Sequence, residues 1–337
     1  MASLLVYVGL DYHEDSVRVC VMDRHGQVLL NRDVPNDIEA VRNWVGRCGL
    51  PQALAIEACC GAAEFADHLH RRTGWSIRLA HPGYVRRLKQ SPDKSDHDDA
   101  SLLADLVRVG YLPEVWLADH NTRQLRRLVH YRQGLVAERK NIKLRIRGLL
   151  REERLSCRHA RAWTKAWFQW LTTAPLGEQS AWIMAQHLAK LERLNQEIRA
   201  GEERLELATH GDELMARLLV QPGIGLITAA TLRAEVGRFD RFRSGKQLSR
   251  FCGVTPCNAS SGRREADAGL VKAGSPALRA ILIQAAQRLA RHESRWKELK
   301  ARLRRTKPAN VATAAVANRW LRWLYHQLVS TPQGTLA

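Results

Sequence analysis

Residues 4–34, LLVYVGLDYHEDSVRVCVMDRHGQVLLNRDV, decide how the N-terminal part of the chain folds. LLVYVGLD reads as a buried strand ending at Asp11. SVRVCVMD and QVLLNRDV then read as a hairpin across the turn Asp23-Arg24-His25-Gly26. Beyond it, IEAVRNWVGRCG has a helical period closed by Gly49, and ALAIEA is an apolar strand carrying Glu57. AAEFADHLHRRTG is again helical and SIRLAHP again a strand. Strands in direct succession, followed by alternating strand and helix, make an α/β order.

This is the order of the RNase H-like fold. In such a sheet the strands of Asp11 and Glu57 are neighbours, which brings the two carboxylates together. From about Asn121 the character changes to long, charged helices. Leu128, Leu135, Ile142 and Leu149 recur every seventh residue, as do Met184, Leu191, Ile198 and Leu205. The pattern fits an antiparallel hairpin or a coiled coil that joins protomers, and equally two amphipathic helices inside one bundle. The first of these helices carries Arg123, Arg126, Arg127, Arg132, Arg139, Lys140, Lys143, Arg145, Arg147, Arg151 and Arg154, which suits a phosphate track or a solvated face. After Gly211, LLVQPGIGLITAATLRAEVG matches a helix-hairpin-helix, whose glycines let a phosphate approach the amides of the second helix; an ordinary tight helix-helix turn has the same pattern. The remainder is expected to be helical around a loop, CNASSGRREADAG, with the final helix PANVATAAVANRWLRWLYHQLV serving as core or interface. Three regions are expected: an α/β domain over 1–118, a helical coiled-coil segment over 119–210, and a helical domain over 211–337.

The chain has 53 Lys plus Arg against 34 Asp plus Glu, a formal charge of +19 and a pI near 10.2. A polyanion is the natural partner, and nucleic acid fits better than a membrane because no basic amphipathic helix stands apart from the fold. No apolar run reaches the roughly 20 residues of a membrane span, and MASLLVYVGLD lacks the features of a signal peptide. The seven cysteines are odd in number and form no C-x-x-C. A disulfide framework and a zinc site are therefore not indicated, and a reducing cytoplasm is the expected setting.

Within this basic chain, KSDHDDASLLADL at 94–106 concentrates carboxylates. Asp96 and Asp99 share a helical face, whereas Asp98 and Asp105 are rotated from Asp96 by about 200° and about 180° at about 100° per residue. One reading is helix capping with macrodipole stabilisation. The other is a divalent cation, Mg²⁺ by preference, held between this pair and the acids on the strand ends, since bare carboxylates gathered there would repel one another.

GLDYH, AIEACCG and KSDHDDASLLADL, followed far downstream by QPGIGLITAATLRAEVGRFDRFRSGKQLSRFCGVTP and ASSGRREADAGLVKAGSPALRAILIQAA, resemble the DEDD transposases of bacterial insertion sequences, the insertion sequence one-ten family of bridge-RNA-guided recombinases. The resemblance spans nearly the whole chain. It implies a RuvC-like domain joined through a coiled coil to a transposase domain, with Asp11, Glu57, Asp96 and Asp99 as four acidic ligands of Mg²⁺, for which Mn²⁺ can substitute. It further implies a nucleophilic serine, best matched by Ser261 with Ser260 as competitor, that forms a phosphoserine link to DNA. Arg263, Arg264 and Lys272 are placed to steady the phosphate. The expected partners are double-stranded donor and target DNA, a structured noncoding guide RNA, and further copies of the chain in a homodimer that assembles to a homotetramer. The expected location is the bacterial cytoplasm, at the nucleoid.

Two positions depart from the family pattern. Cys59-Cys60 stand where a threonine is common after Glu57-Ala58, and Ser95 stands where the family commonly has threonine. His13 and His97 lie beside the presumed ligands and read as supporting or surface residues. The alternative activity is that of a RuvC-like, metal-dependent nuclease or Holliday-junction resolvase, which shares the acids but uses water as nucleophile.

Overall fold

The computed structural model describes residues 4–88, 96–258, 267–271 and 274–329, with side chains at all of these except 96, 97, 258, 267 and 268. The chain divides into two compact units, Met1–His120 and Asn121–Ala337.

The first unit is a six-stranded sheet clad on both faces. Its elements are β1 (Leu5–Tyr12), β2 (Ser16–Asp23), β3 (Val28–Pro35), α1 (Ile38–Cys48), β4 (Leu50–Glu57), α2 (Ala62–Thr73), β5 (Ile77–Ala80), α3 (Pro82–Leu88), α4 (Asp96–Arg108) and β6 (Glu114–Val115). The strand order is β3-β2-β1-β4-β5-β6, with β1–β4 and β4–β5 parallel and the other pairs antiparallel. This mixed α/β sheet fits the RNase H-like fold predicted above. The β2–β3 turn is built as its residues suggest: Asp23 Oδ1 accepts from the backbone amides of His25 and Gln27, and Gly26 takes φ +86°.

Alternation along β1 and β4 sends their side chains to two different layers. Val6, Val8, Leu10, Leu54 and Ile56 join Val41 and Val45 of α1 and Ala62, Phe65, Ala66 and Leu69 of α2. On the opposite face Ala53 and Ala55 meet Leu103 and Val107 of α4, while Cys20 and Met22 meet Ala100 and Ala104. Small residues on that face let α4 lie close to the sheet. The approach is tightest at Gly9, where an added Cβ would fall on the Ala100 carbonyl oxygen and 2.5 Å from the Ala104 nitrogen. Glycine is required there for contact with α4, since any side chain must push the helix away.

The second unit takes up α5 (His120–Glu152) from its second residue, followed by α6 (Lys165–Thr172), α7 (Glu178–Ala208), α8 (Glu213–Leu219), α9 (Leu226–Glu235) and α10 (Gly245–Phe251). After the short strands β7 (Pro256–Asn258) and β8 (Asp267–Leu270) come α11 (Pro276–His292), α12 (Ser294–Arg304) and α13 (Ala309–Val329). The long helices α5 and α7 run antiparallel within the chain: Arg132 bonds Glu202, and Arg139 bonds Asn195. Their heptad residues Leu135, Ile142, Met184, Leu191 and Ile198 share one buried cluster with Trp167 and Leu171 of α6. The other helices enclose a second core around the fully buried Trp320.

The segment expected to be a plain loop has strands at its ends. Pro256 pairs with Leu270 and Asn258 with Asp267. The pairing satisfies backbone groups that an open loop would leave to water, and the polar composition between the strands concealed it. Among the described residues no helix is long and apolar enough to cross a membrane.

Candidate active site

Asp11 lies near the end of β1 and Glu57 at the end of β4. Leu10 and Ile56 are register partners on these parallel strands, so the two acids occupy the next facing positions. By the two-residue period, Asp11 follows Gly9, and Glu57 follows Ala53 and Ala55, on the side of the sheet that α4 covers. Asp99 immediately precedes Ala100, the residue seated over Gly9, and is only 8% exposed. Buried carboxylates are rare, and this one sits among Ala100, Leu103, Ala104 and Val107 on the sheet-facing stripe of α4.

Helical phase separates the aspartates as the spacing predicts. Asp98 is exposed. Asp105 is half-exposed and held by Arg108, with Nε–Oδ1 2.9 Å. Position 96 is the first residue of α4, one turn before Asp99, and the Asp96 side chain lies outside the described residues. Ser260, Ser261, Arg263, Arg264 and Lys272 also lie outside them.

Several neighbours shape the surroundings of these acids. His13 Nε2 is 3.2 Å from Asp11 Oδ2, a contact that orients the carboxylate. Arg18 faces Asp11 in the antiparallel register, yet its guanidinium is drawn the other way. Its Nη1 donates to Asp33 Oδ2 at 2.7 Å and its Nε to Asn31 Oδ1 at 2.7 Å. Asn31 in turn donates to Ser101 of α4 at 2.8 Å. Arg18 therefore supplies positive potential without an ion pair to Asp11, and the chain of bonds ties α4 to the strands.

The turn after Glu57 is shaped by Gly61, at φ +90°, where a Cβ would lie 2.7 Å from the Tyr12 hydroxyl. Cys59 in this turn has its thiol pushed up by burial and, to a lesser degree, by the charges of Asp11 and Glu57, with the Ala62 amide pulling the other way. The thiol is thus kept neutral.

A separate ligand-like group lies on α2, which covers the opposite face of the sheet. Glu64, Asp67 and His120 bring one ligand atom each within 4.8 Å of one another. His120 Nδ1 is 3.6 Å from Glu64 Oε2, and Asp67 also pairs with Arg71 at 3.2 Å. Glu64 and Asp67 are one helical turn apart on α2, and the fold brings the distant His120 to them.

Comparison with known proteins gives this geometry a family. Residues 8–154 match a DEDD transposase family described as "Transposase", and residues 215–301 match the "Transposase IS116/IS110/IS902 family". A probable family 20 transposase of Pseudomonas aeruginosa is 29% identical, covering 94% of this chain and 95% of that protein. The transposase for insertion sequence element IS1111A of Coxiella burnetii is 29% identical over 93% of this chain and 86% of its own length. The transposase for insertion sequence element IS1328 of Yersinia enterocolitica is 27% identical over 98% and 97%. Asp11, Glu57, Asp96 and Asp99 all fall within the matched DEDD region, which implies use of a divalent metal. The chain belongs to the IS110 family of DEDD transposases and is a DNA transposase.

Proposed function

We propose that the chain excises and inserts its own insertion sequence by Mg²⁺-dependent cleavage and rejoining of DNA through a phosphoserine intermediate. The observation that carries this reading is the close seating of α4 on β1 at Gly9, with Asp99 beside it and Asp11 and Glu57 at adjoining strand ends. The donor set is all oxygen and all hard, which fits Mg²⁺ or Mn²⁺. Asp11, Glu57, Asp96 and Asp99 would hold the ion. When bound, it supplies positive charge to phosphate oxygens as a Lewis acid.

The protein's own groups then divide the work. Asp11 is oriented by His13, and Arg18 is held off by Asn31 and Asp33 so that it does not neutralise the site. The Ser261 hydroxyl attacks a DNA phosphorus, forming an O–P bond as the bond to a deoxyribose oxygen breaks; the departing oxygen takes a proton. A second strand's hydroxyl reverses the sequence and frees the serine. Arg263, Arg264 and Lys272 steady the phosphate.

The α8–α9 turn is the proposed helix-hairpin-helix contact with DNA. Gly225, at the start of α9, has open space around it and no side-chain cap. Gly223, in contrast, is packed under Leu289 and serves the fold. The domains are taken as 1–118, 119–210 and 211–337. A guide RNA selects donor and target, and a homodimer assembling to a tetramer, with the α5–α7 hairpin as a coiled-coil contact, supplies the paired active sites in the nucleoid.

A suicide DNA substrate tests the nucleophile. The expected outcome is a covalent adduct with the wild type and Ser260→Ala but none with Ser261→Ala. Cleavage to free ends with no adduct would overturn the proposal in favour of a nuclease using water.

A further inference from the structure

The two helices that end the second unit form a groove of about 840 Å³. α12 and α13 are joined by a short connection and run antiparallel, so that Arg295 and Trp296 near the start of α12 meet Trp323 near the end of α13. Each helix lines the groove with positions i, i+3, i+4 and i+7. On α12 these are Arg295, Glu298, Leu299 and Arg302; on α13 they are Arg319, Arg322, Trp323 and His326. That spacing defines one continuous helix face, which in a bundle is ordinarily apolar. Here it carries four arginines against one carboxylate.

Some guanidiniums of this unit are matched by acids, as in Arg132 with Glu202 and Arg233 with Asp212. Among the described residues no carboxylate pairs with Arg295, Arg302, Arg319 or Arg322. Arg295 is instead laid over indole rings, 4.8 Å from the Trp296 centroid and 5.7 Å from that of Trp323. A guanidinium held by its flat face keeps its N–H edge free for an anion. Trp296 is buried, while Leu299 and Trp323 are half-buried and form an apolar floor between charged rims.

We propose that this groove binds one strand of nucleic acid, with phosphates on the paired arginine rims and a sugar or base face against Trp323 and Leu299. The seven steps from Arg295 to Arg302 rise about 10 Å, at about 1.5 Å per residue. That length matches about three nucleotide steps of a strand kept in stacked, helical form, at about 3.4 Å each. Arginines on both walls of a concave groove enclose a single strand. A duplex would offer its phosphates to one rim only. DNA and RNA strands share this chemistry. The proposal goes beyond the strand-transfer reading and does not depend on the acids of the first unit.

The test measures binding by the full chain in EDTA, so that no cleavage contributes. Fluorescent single-stranded DNA, single-stranded RNA and duplex DNA of matched length are titrated across a salt series. Arg302→Gln/Arg319→Gln and Arg295→Gln/Arg322→Gln are compared with Arg71→Gln/Arg72→Gln, which removes the same charge from exposed positions of α2. All six side chains are exposed, and circular dichroism confirms the fold of each variant. The expected result is about 10-fold weaker single-strand binding in each groove variant, and a salt slope shallower by about 1.4 for two lost phosphate contacts. The α2 control should match the wild type within about 2-fold. Loss confined to DNA or to RNA identifies the strand. Equal weakening by the control, an unchanged slope, or a loss confined to the duplex would overturn the proposal.

Discussion

Asp99 and Gly9 make one local arrangement: a carboxylate kept close to the sheet because the residue beneath its helix has no side chain. Asp99→Asn is expected to preserve the fold and lower DNA strand cleavage by on the order of 100-fold or more, since the charge of a ligand for a catalytic cation is worth several kcal/mol. Cleavage assays across Mg²⁺ concentrations check this, and wild-type rates in Asp99→Asn would remove it from the site. Gly9→Ala tests the seating of α4. Overpacking at so close a contact is expected to cost roughly 2–3 kcal/mol in denaturant unfolding and to reduce cleavage as well. At this scale the sequence revealed much: strand ends placed Asp11 and Glu57, and helical phase separated Asp99 from Asp98 and Asp105. It left His13 open between a supporting and a surface role, because loop geometry after a strand has no period to read, and the structure places it against Asp11. It did not reveal the direction taken by Arg18, which depends on Asn31 and Asp33 across the sheet.

Among the elements, the early strands and helices were legible to within a few residues because their apolar periods are clean. The two-residue strand β6 and the β7–β8 pair were not, being too short to show alternation. The heptads of α5 and α7 were visible, but whether they pair within one chain or between chains is not encoded in the repeat. In the structure they pack on each other within the chain. α5 holds Gly134 and Gly148 in its interior, and an added Cβ meets nothing within 4 Å at either position. Each Gly→Ala change is therefore expected to stabilise the protein by about 0.5–1 kcal/mol. A gain in thermal unfolding temperature accompanied by loss of transposition would show that these glycines serve a partner's close approach.

At the scale of the whole molecule, the +19 charge and the proposed acidic site are expected to act on nucleic acid in separable ways. Removing divalent metal with EDTA is expected to abolish cleavage while leaving duplex binding within about 3-fold. Raising salt from about 50 to about 200 mM should weaken binding by about 1,000-fold or more if six or more phosphates are contacted. Gel shifts and cleavage assays on the same samples check both, and loss of binding in EDTA would show that the cation holds DNA as well as activating it.

The sheet order has a consequence for how the protein is made. β1 is central, yet its neighbour β4 and the helix laid over Gly9 come much later in the chain, and the edge strand β6 comes last. Such long-range pairing is slow to form, because loop closure must precede the contacts that reward it. Residues 1–120 carry 13 Lys plus Arg against 17 Asp plus Glu, so the basic, nucleic-acid-attracting part of the chain is synthesised only after the acids. On the ribosome, most of the capacity to attract a polyanion arrives after the first unit has been made.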